Sequence, residues 1–121
     1  MDSADIFNDM VGNLKGELSD GYSLISEFVE RQGRLLAKQA DHLAKTRVDG
    51  YLKDEDELFT YFLDGLARDT VNMVRSLAML TVLTIEKAWN AVANALWGGL
   101  TTILTAAGFP VPLIPKAPPS V

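Results

Sequence analysis

The chain reads as all-α: a long antiparallel helical hairpin, residues 4–49 and 54–107, followed by an extended proline-rich arm, with hairpins assembling into an oligomeric helical bundle. Three observations predict this. Apolar residues recur at three- and four-residue steps along both segments, which is the period of one helix face. All five prolines lie between Pro110 and Pro119, so nothing before them forbids helix. Of the 27 Asp, Glu, Lys and Arg residues, 23 precede Thr70, and none falls between Ala88 and Pro115. One half is written for water, and the other requires cover.

The first helix rests on Phe7, Val11, Leu14, Leu18, Tyr22, Ile25, Val29, Leu36 and Leu43. Glycine costs about 1 kcal/mol against alanine inside a helix, so Asp20-Gly21 is its weak point; the spacing predicts one helix, bent there. A second row runs beside the first: Gly12, Gly16, Ser19, Ser23, Ser26, Glu30, Gly33, Ala37, Ala40 and Ala44. Nine of these ten are Gly, Ala or Ser, and they take nine of the eleven such residues between Ala4 and Asp49. A seven-residue repeat keeps one seam toward a partner, as in a coiled coil, and small side chains there let backbones approach. Gly12, Gly16, Gly33 and Ala37 are accordingly expected at helix–helix interfaces. Glu30 interrupts the seam; an exposed seam accounts for it, whereas a buried one demands a cation such as Arg34 or Arg75. Glu27–Arg31 and Glu30–Arg34 have the favourable four-residue order.

Gly50 is the expected stop, and Asp54-Glu55-Asp56-Glu57 offers an N-cap with acidic residues in the next turn. The second helix is carried by Leu58, Phe62, Leu66, Met73, Leu77, Leu80, Ile85, Trp89, Val92, Leu96, Leu100 and Ile103, with Gly98-Gly99 as its weak point. Gly108 followed by Pro110 ends it, glycine accepting a left-handed conformation and proline barring continuation. Residues 1–108 thus form the helical unit, and residues 109–121 an arm suited to an extended, polyproline-like path.

Polar residues thin out along the second helix until only Asn90, Asn94 and three threonines interrupt the uncharged stretch. A helix apolar almost all round must be surrounded, and a two-helix hairpin covers only one side. Self-association is therefore expected, with Leu80, Trp89, Leu96, Trp97, Leu100 and Ile103 in contact with a second copy or a helical protein partner. The competing cover is lipid: residues 88–107 are twenty uncharged positions, about the length of a membrane span, although the Asn, Thr and Gly content dilutes them. Glu86, Asn90 and Asn94 at four-residue spacing would then satisfy one another between subunits or line an aqueous passage.

Little in the chain points to chemistry. With no cysteine there is neither a disulfide framework nor a thiolate metal site. His42, the single histidine, has no cysteine or glycine-framed serine to serve as a base. Glu-x-x-His, the ligand motif of bundle di-iron sites, does not occur, and Gly98-Gly99 lacks the lysine of a phosphate loop. No cofactor or metal is expected. A net charge of −5 without clustered Lys or Arg excludes a phosphate-tracking surface and hence nucleic acid. The polar start Met1-Asp2-Ser3-Ala4-Asp5 does not read as a signal peptide, which favours a cytoplasmic or assembly-associated location. The expected function is a non-enzymatic structural or adaptor subunit that self-associates through its uncharged half; the alternative is a membrane-active anchor or oligomeric pore inserting residues 88–107.

Overall fold

A computed structural model describes residues 1–119, so Ser120 and Val121 at the end of the expected arm lie outside the described residues. Among the described residues the chain is all-α, and its helices number four: α1 (Ser3–Leu18), α2 (Ser26–Asp49), α3 (Asp56–Leu80) and α4 (Ile85–Ala106). Each expected long helix is in fact two. A 3₁₀ turn, Ser19–Leu24, separates α1 from α2, and residues 81–84 separate α3 from α4. What the sequence presents as a hairpin is folded a second time into a four-helix domain.

The first break falls where glycine weakens the helix, but its sharpest bend is one residue before Asp20-Gly21. Ser19 has φ 51°, the one positive φ at a non-glycine residue among those described, a conformation that costs a side-chain-bearing residue of order 1–3 kcal/mol. The second break contains neither glycine nor proline. Thr81 Oγ1 donates to the Leu77 carbonyl and accepts from the Leu83 amide, so one hydroxyl replaces helical partners on both sides. Thr84, in extended conformation, caps α4 by accepting from the Lys87 amide. Gly98-Gly99, expected to be weak, lies inside α4 without interrupting it.

The remaining termini follow from local chemistry. Asp2 and Asp5 form a reciprocal capping box at the start of α1. The acidic run before α3 does not act as a box: Glu55 at the N-cap makes no side-chain cap bond, and Asp56 is drawn to Arg47 instead. Gly50 ends α2 in an extended rather than left-handed conformation. Its need is for space, because a Cβ there would stand 2.8 Å from the Thr46 Cα. Gly108 does adopt the left-handed region, φ 78°. Its amide donates to Thr105 and that of Phe109 to Leu104, the paired bonds of a Schellman stop.

The pairs α1 and α2, α2 and α3, and α1 and α4 run antiparallel, whereas α2 and α4 run parallel, with Arg47 near the end of α2 lying at Phe109 just past the end of α4. Gln39 of α2 donates to Asp69 of α3, Asn13 of α1 donates to the Ala91 carbonyl of α4, and Gly33 of α2 lies against Phe7 and Met10 of α1. The central element is α4, which packs on α1, α2 and α3, whereas α1 and α3 lie on opposite flanks and do not meet. Trp89, Val92, Leu96, Trp97, Leu100 and Leu104 of α4 are buried together with Ile6, Met10, Leu14, Val29, Leu66 and Leu77 from the other three. The uncharged stretch therefore finds its cover within the same chain. Its polar residues Asn90, Asn94, Thr101, Thr102 and Thr105 are all exposed, as is Glu86 just before it, and together they form the solvent edge of the central helix.

The arm turns back along α4. Phe109 and Ala117 pack against the core, the Arg47 guanidinium lies 5.5 Å from the Phe109 ring centre, and the Trp89 indole Nε1 donates to the Pro115 carbonyl at 3.0 Å.

Candidate docking face

Once α4 is enclosed, the apolar surface left over lies on the α2–α3 side. At 100° per residue Leu24, Phe28 and Leu35 fall on one edge of the chain entering and forming α2, directed away from the arc that buries Val29, Leu36 and Ala40. Leu24 is 84% exposed and Leu35 61%. Across from them, α3 presents Met73 and Ser76, and beyond these Leu80 at 57% exposure. Between the helices runs a groove of about 540 Å³, its walls formed chiefly by Phe28, Leu35, Gln39, Asp69, Asn72 and Met73. Asp69 is the sole charged residue in its lining, held by Gln39 at 3.3 Å.

The lining is mixed, with Gln32, Gln39, Asn72 and Ser76 joining Asp69 beside Phe28, Leu35, Leu36 and Met73. At and just past the end of α3, Met79 and Val82 are 86% and 93% exposed. At the turn end, the Phe62 ring stands edge-on to Tyr51 and Tyr61, with centroids 6.5 and 5.6 Å away. A smaller cavity of about 120 Å³ lies beside them, lined by His42, Leu43, Thr46, Tyr51 and Phe62. His42 thus borders an aromatic surface; its backbone carbonyl accepts from Thr46 Oγ1.

The turn that carries this aromatic end is organised by Arg47. Its guanidinium donates to the Leu52 and Lys53 carbonyls at 2.9 and 3.2 Å, pairs with Asp56 at 2.7 Å, and lies over the Phe59 ring at 4.9 Å. A planar fork with five donors suits this task, which a lysine point charge does not. Nothing in the residue spacing singles Arg47 out, because its partners are side chain, backbone and ring on three different segments.

The residues expected at interfaces divide sharply. Trp89, Leu96, Trp97 and Leu100 are buried in the chain's own core, with the two indole rings 6.3 Å apart, and Ile103 is partly buried against it. Leu80 remains at the surface. The small-residue seam splits as well. Gly33, Ala37, Ala40 and Ala44 are buried, and a Cβ on Gly33 would meet Met10 Sδ at 2.9 Å, so this half lets α1 and α2 approach within one chain. Gly12 and Gly16 face open space, with nothing within 4 Å of a Cβ. Glu30 is exposed and takes Arg34 as its cation at 2.7 Å, and that arginine also lies 4.3 Å over the Phe7 ring.

Among the described residues no group of three or more His, Cys, Asp or Glu is disposed to hold a metal ion. No helix among them is long and apolar enough to cross a membrane. Comparison with protein-family models, curated proteins and solved structures returned no match in any of the three.

Proposed function

We propose that this chain is a non-enzymatic, self-associating structural or adaptor subunit whose contact surface is the α2–α3 groove. The observation that supports the reading is the set of exposed apolar side chains Leu24, Leu35, Met79 and Leu80, with half-buried Phe28 in the groove wall, on a domain that has already buried its large core residues. Isolated apolar residues on a surface are ordinary, but several large ones beside a groove between two helices suit the reception of an amphipathic helix. The contact surface moves from α4 to α3, and from the buried tryptophans to Leu80 and its neighbours. A second copy can offer its own α2–α3 pair in an isologous contact.

The test is the mass of the full chain in solution by light scattering, without detergent, for the wild type and for Leu35→Glu/Leu80→Glu. Placing two carboxylates among these side chains is expected to dissociate the assembly while the helical circular dichroism is retained. An assembly that survives both substitutions, or a wild-type chain that stays at 13.2 kDa at all concentrations and captures no helical peptide, overturns the reading.

A further inference from the structure

We propose that Met79 is an oxidation site: a hydroperoxide converts its thioether to the sulfoxide, and the sulfoxide opens the assembly built on the α2–α3 groove. The chain has four methionines, and the fold sorts them. Met10 and Met73 are 0% and 4% exposed, Met1 is 47% exposed, and Met79, in the last turn of α3, is 86% exposed. Met73 and Met79 share one helix but stand six residues apart, so a rotation of about 120° turns one thioether inward and the other to solvent. A hydroperoxide must reach the sulfur. The exposed thioether therefore reacts first, and the buried ones wait for the chain to open.

The step balances without any group held by the protein. A sulfur lone pair attacks the hydroxyl oxygen of the peroxide, the O–O bond breaks, and that oxygen stays on sulfur while its proton passes to the departing oxygen. Sulfur is oxidised by two electrons, and the peroxide, reduced by the same two, leaves as water or an alcohol. Its consequence depends on position and rests on the groove being the contact surface. Asn72 lines the groove, and Met79 follows it by seven residues, two turns along the same line of α3. Leu80 and Val82 near it are 57% and 93% exposed, and α3 has no charged residue after Arg75. A thioether is covered there at no polar cost, whereas a sulfoxide must first shed its water. Oxidation and assembly then oppose one another: a second copy that covers Met79 shields it from peroxide, and an oxidised Met79 weakens the cover.

The test exposes the full chain to dilute hydrogen peroxide and follows each methionine by peptide mapping and mass spectrometry. Met79 is expected to oxidise about tenfold faster than Met10 and Met73, and its rate, unlike that of Met1, to fall as protein concentration rises. Light scattering of the oxidised chain is expected to show the smaller species with its helical circular dichroism retained. Methionine sulfoxide reductases, one for each epimer, restore the assembly. Met79→Leu keeps the volume and the apolar character, so it assembles in peroxide although Met1 is still oxidised. Met10 or Met73 reacting as fast as Met79 overturns the site. An oxidised chain that assembles as before, where Leu35→Glu/Leu80→Glu does dissociate the protein, overturns the switch and leaves the groove reading standing. A wild type that never assembles overturns the groove reading and the switch with it, and the mapping alone then decides the site.

Discussion

Adjacent glycines in α4 predict opposite responses to the same substitution. A Cβ added at Gly98 meets nothing within 4 Å, whereas one at Gly99 would stand 2.5 Å from both Cγ1 and Cδ1 of Ile6. Ile6 is fully buried and β-branched, hence stiff at χ1; in a close-packed interior it has nowhere to withdraw. Alanine in place of glycine inside a helix gains about 0.5–1 kcal/mol at either position. Overpacking of a filled site costs about 1–3 kcal/mol, and only Gly99 incurs it.

The backbone gain is common to both variants and cancels in the comparison, leaving Gly99→Ala less stable than Gly98→Ala by about 1–3 kcal/mol. For a domain of this length 1 kcal/mol corresponds to about 4 °C in Tm, so the two melting points should differ by roughly 4–12 °C, with Gly98→Ala a few degrees above the wild type. Thermal denaturation followed by circular dichroism measures both, and urea titration at constant m-value checks that the native state is unchanged. Equal melting points would mean that α1 does not lie on α4 at Ile6. A Gly98→Ala variant that melts below the wild type would mean that another surface covers that position.

Arg47→Lys keeps the charge but loses the fork and the ring stacking; charge-assisted bonds of this kind are worth about 1.5–3 kcal/mol, so a Tm loss of roughly 6–12 °C is expected, and Arg47→Ala should be no better. Ser19→Gly relieves the positive φ without touching the core and should raise stability by about 1 kcal/mol, readable as a shift in the urea midpoint; unchanged or lower stability would show that the conformation costs nothing. Tyr22 titrates above its ordinary value near 10 because burial disfavours the phenolate, with Glu30 adding to the effect. Folding thus favours its neutral form, a contribution fully present below the unfolded pKa and lost as pH rises through the raised folded pKa. Tyr22→Phe should remove the late step from the absorbance titration at 295 nm and lessen the alkaline fall in stability.

The helical class was legible because three- and four-residue steps, and their seven-residue sums, recur over both halves. Gly108 was legible for the reason that makes it useful: a left-handed stop followed by Phe109 and Pro110 has few other readings. The bend near Asp20-Gly21 was legible as a weak point, though not as a full turn between helices. The break at residues 81–84 was not. Leu80 and Leu83 continue the apolar step, and the interruption comes from hydroxyls competing for the backbone at Thr81 and Thr84, a capability that threonine also carries harmlessly inside helices. Thr84 followed by Glu86 in the first turn was the available signal. The candidate surface was harder still. Periodicity states that Trp97 must be covered but not by what, Leu80 falls in the periodic row although it is exposed, and Leu35 lies outside the row with nothing to single it out.

A span of twenty uncharged residues can be covered by lipid or by protein, and the side chains that accompany the large ones separate the cases. In α4, Ala88, Ala91, Ala93 and Ala95 are buried together with Gly99, distributed among Trp89, Val92, Leu96 and Trp97. Lipid supplies no reason for small residues on several sides of a helix, whereas helices that approach on several sides require them. The alternation of alanine with tryptophan and leucine therefore fits a rod with three neighbours: each alanine admits a backbone, and each large side chain fills the gap beside it. The same arrangement explains why the exposed polar residues narrow to Asn90, Asn94, Thr101, Thr102 and Thr105. One face of α4 is left for solvent, and a single row of uncharged polar groups is enough to wet it.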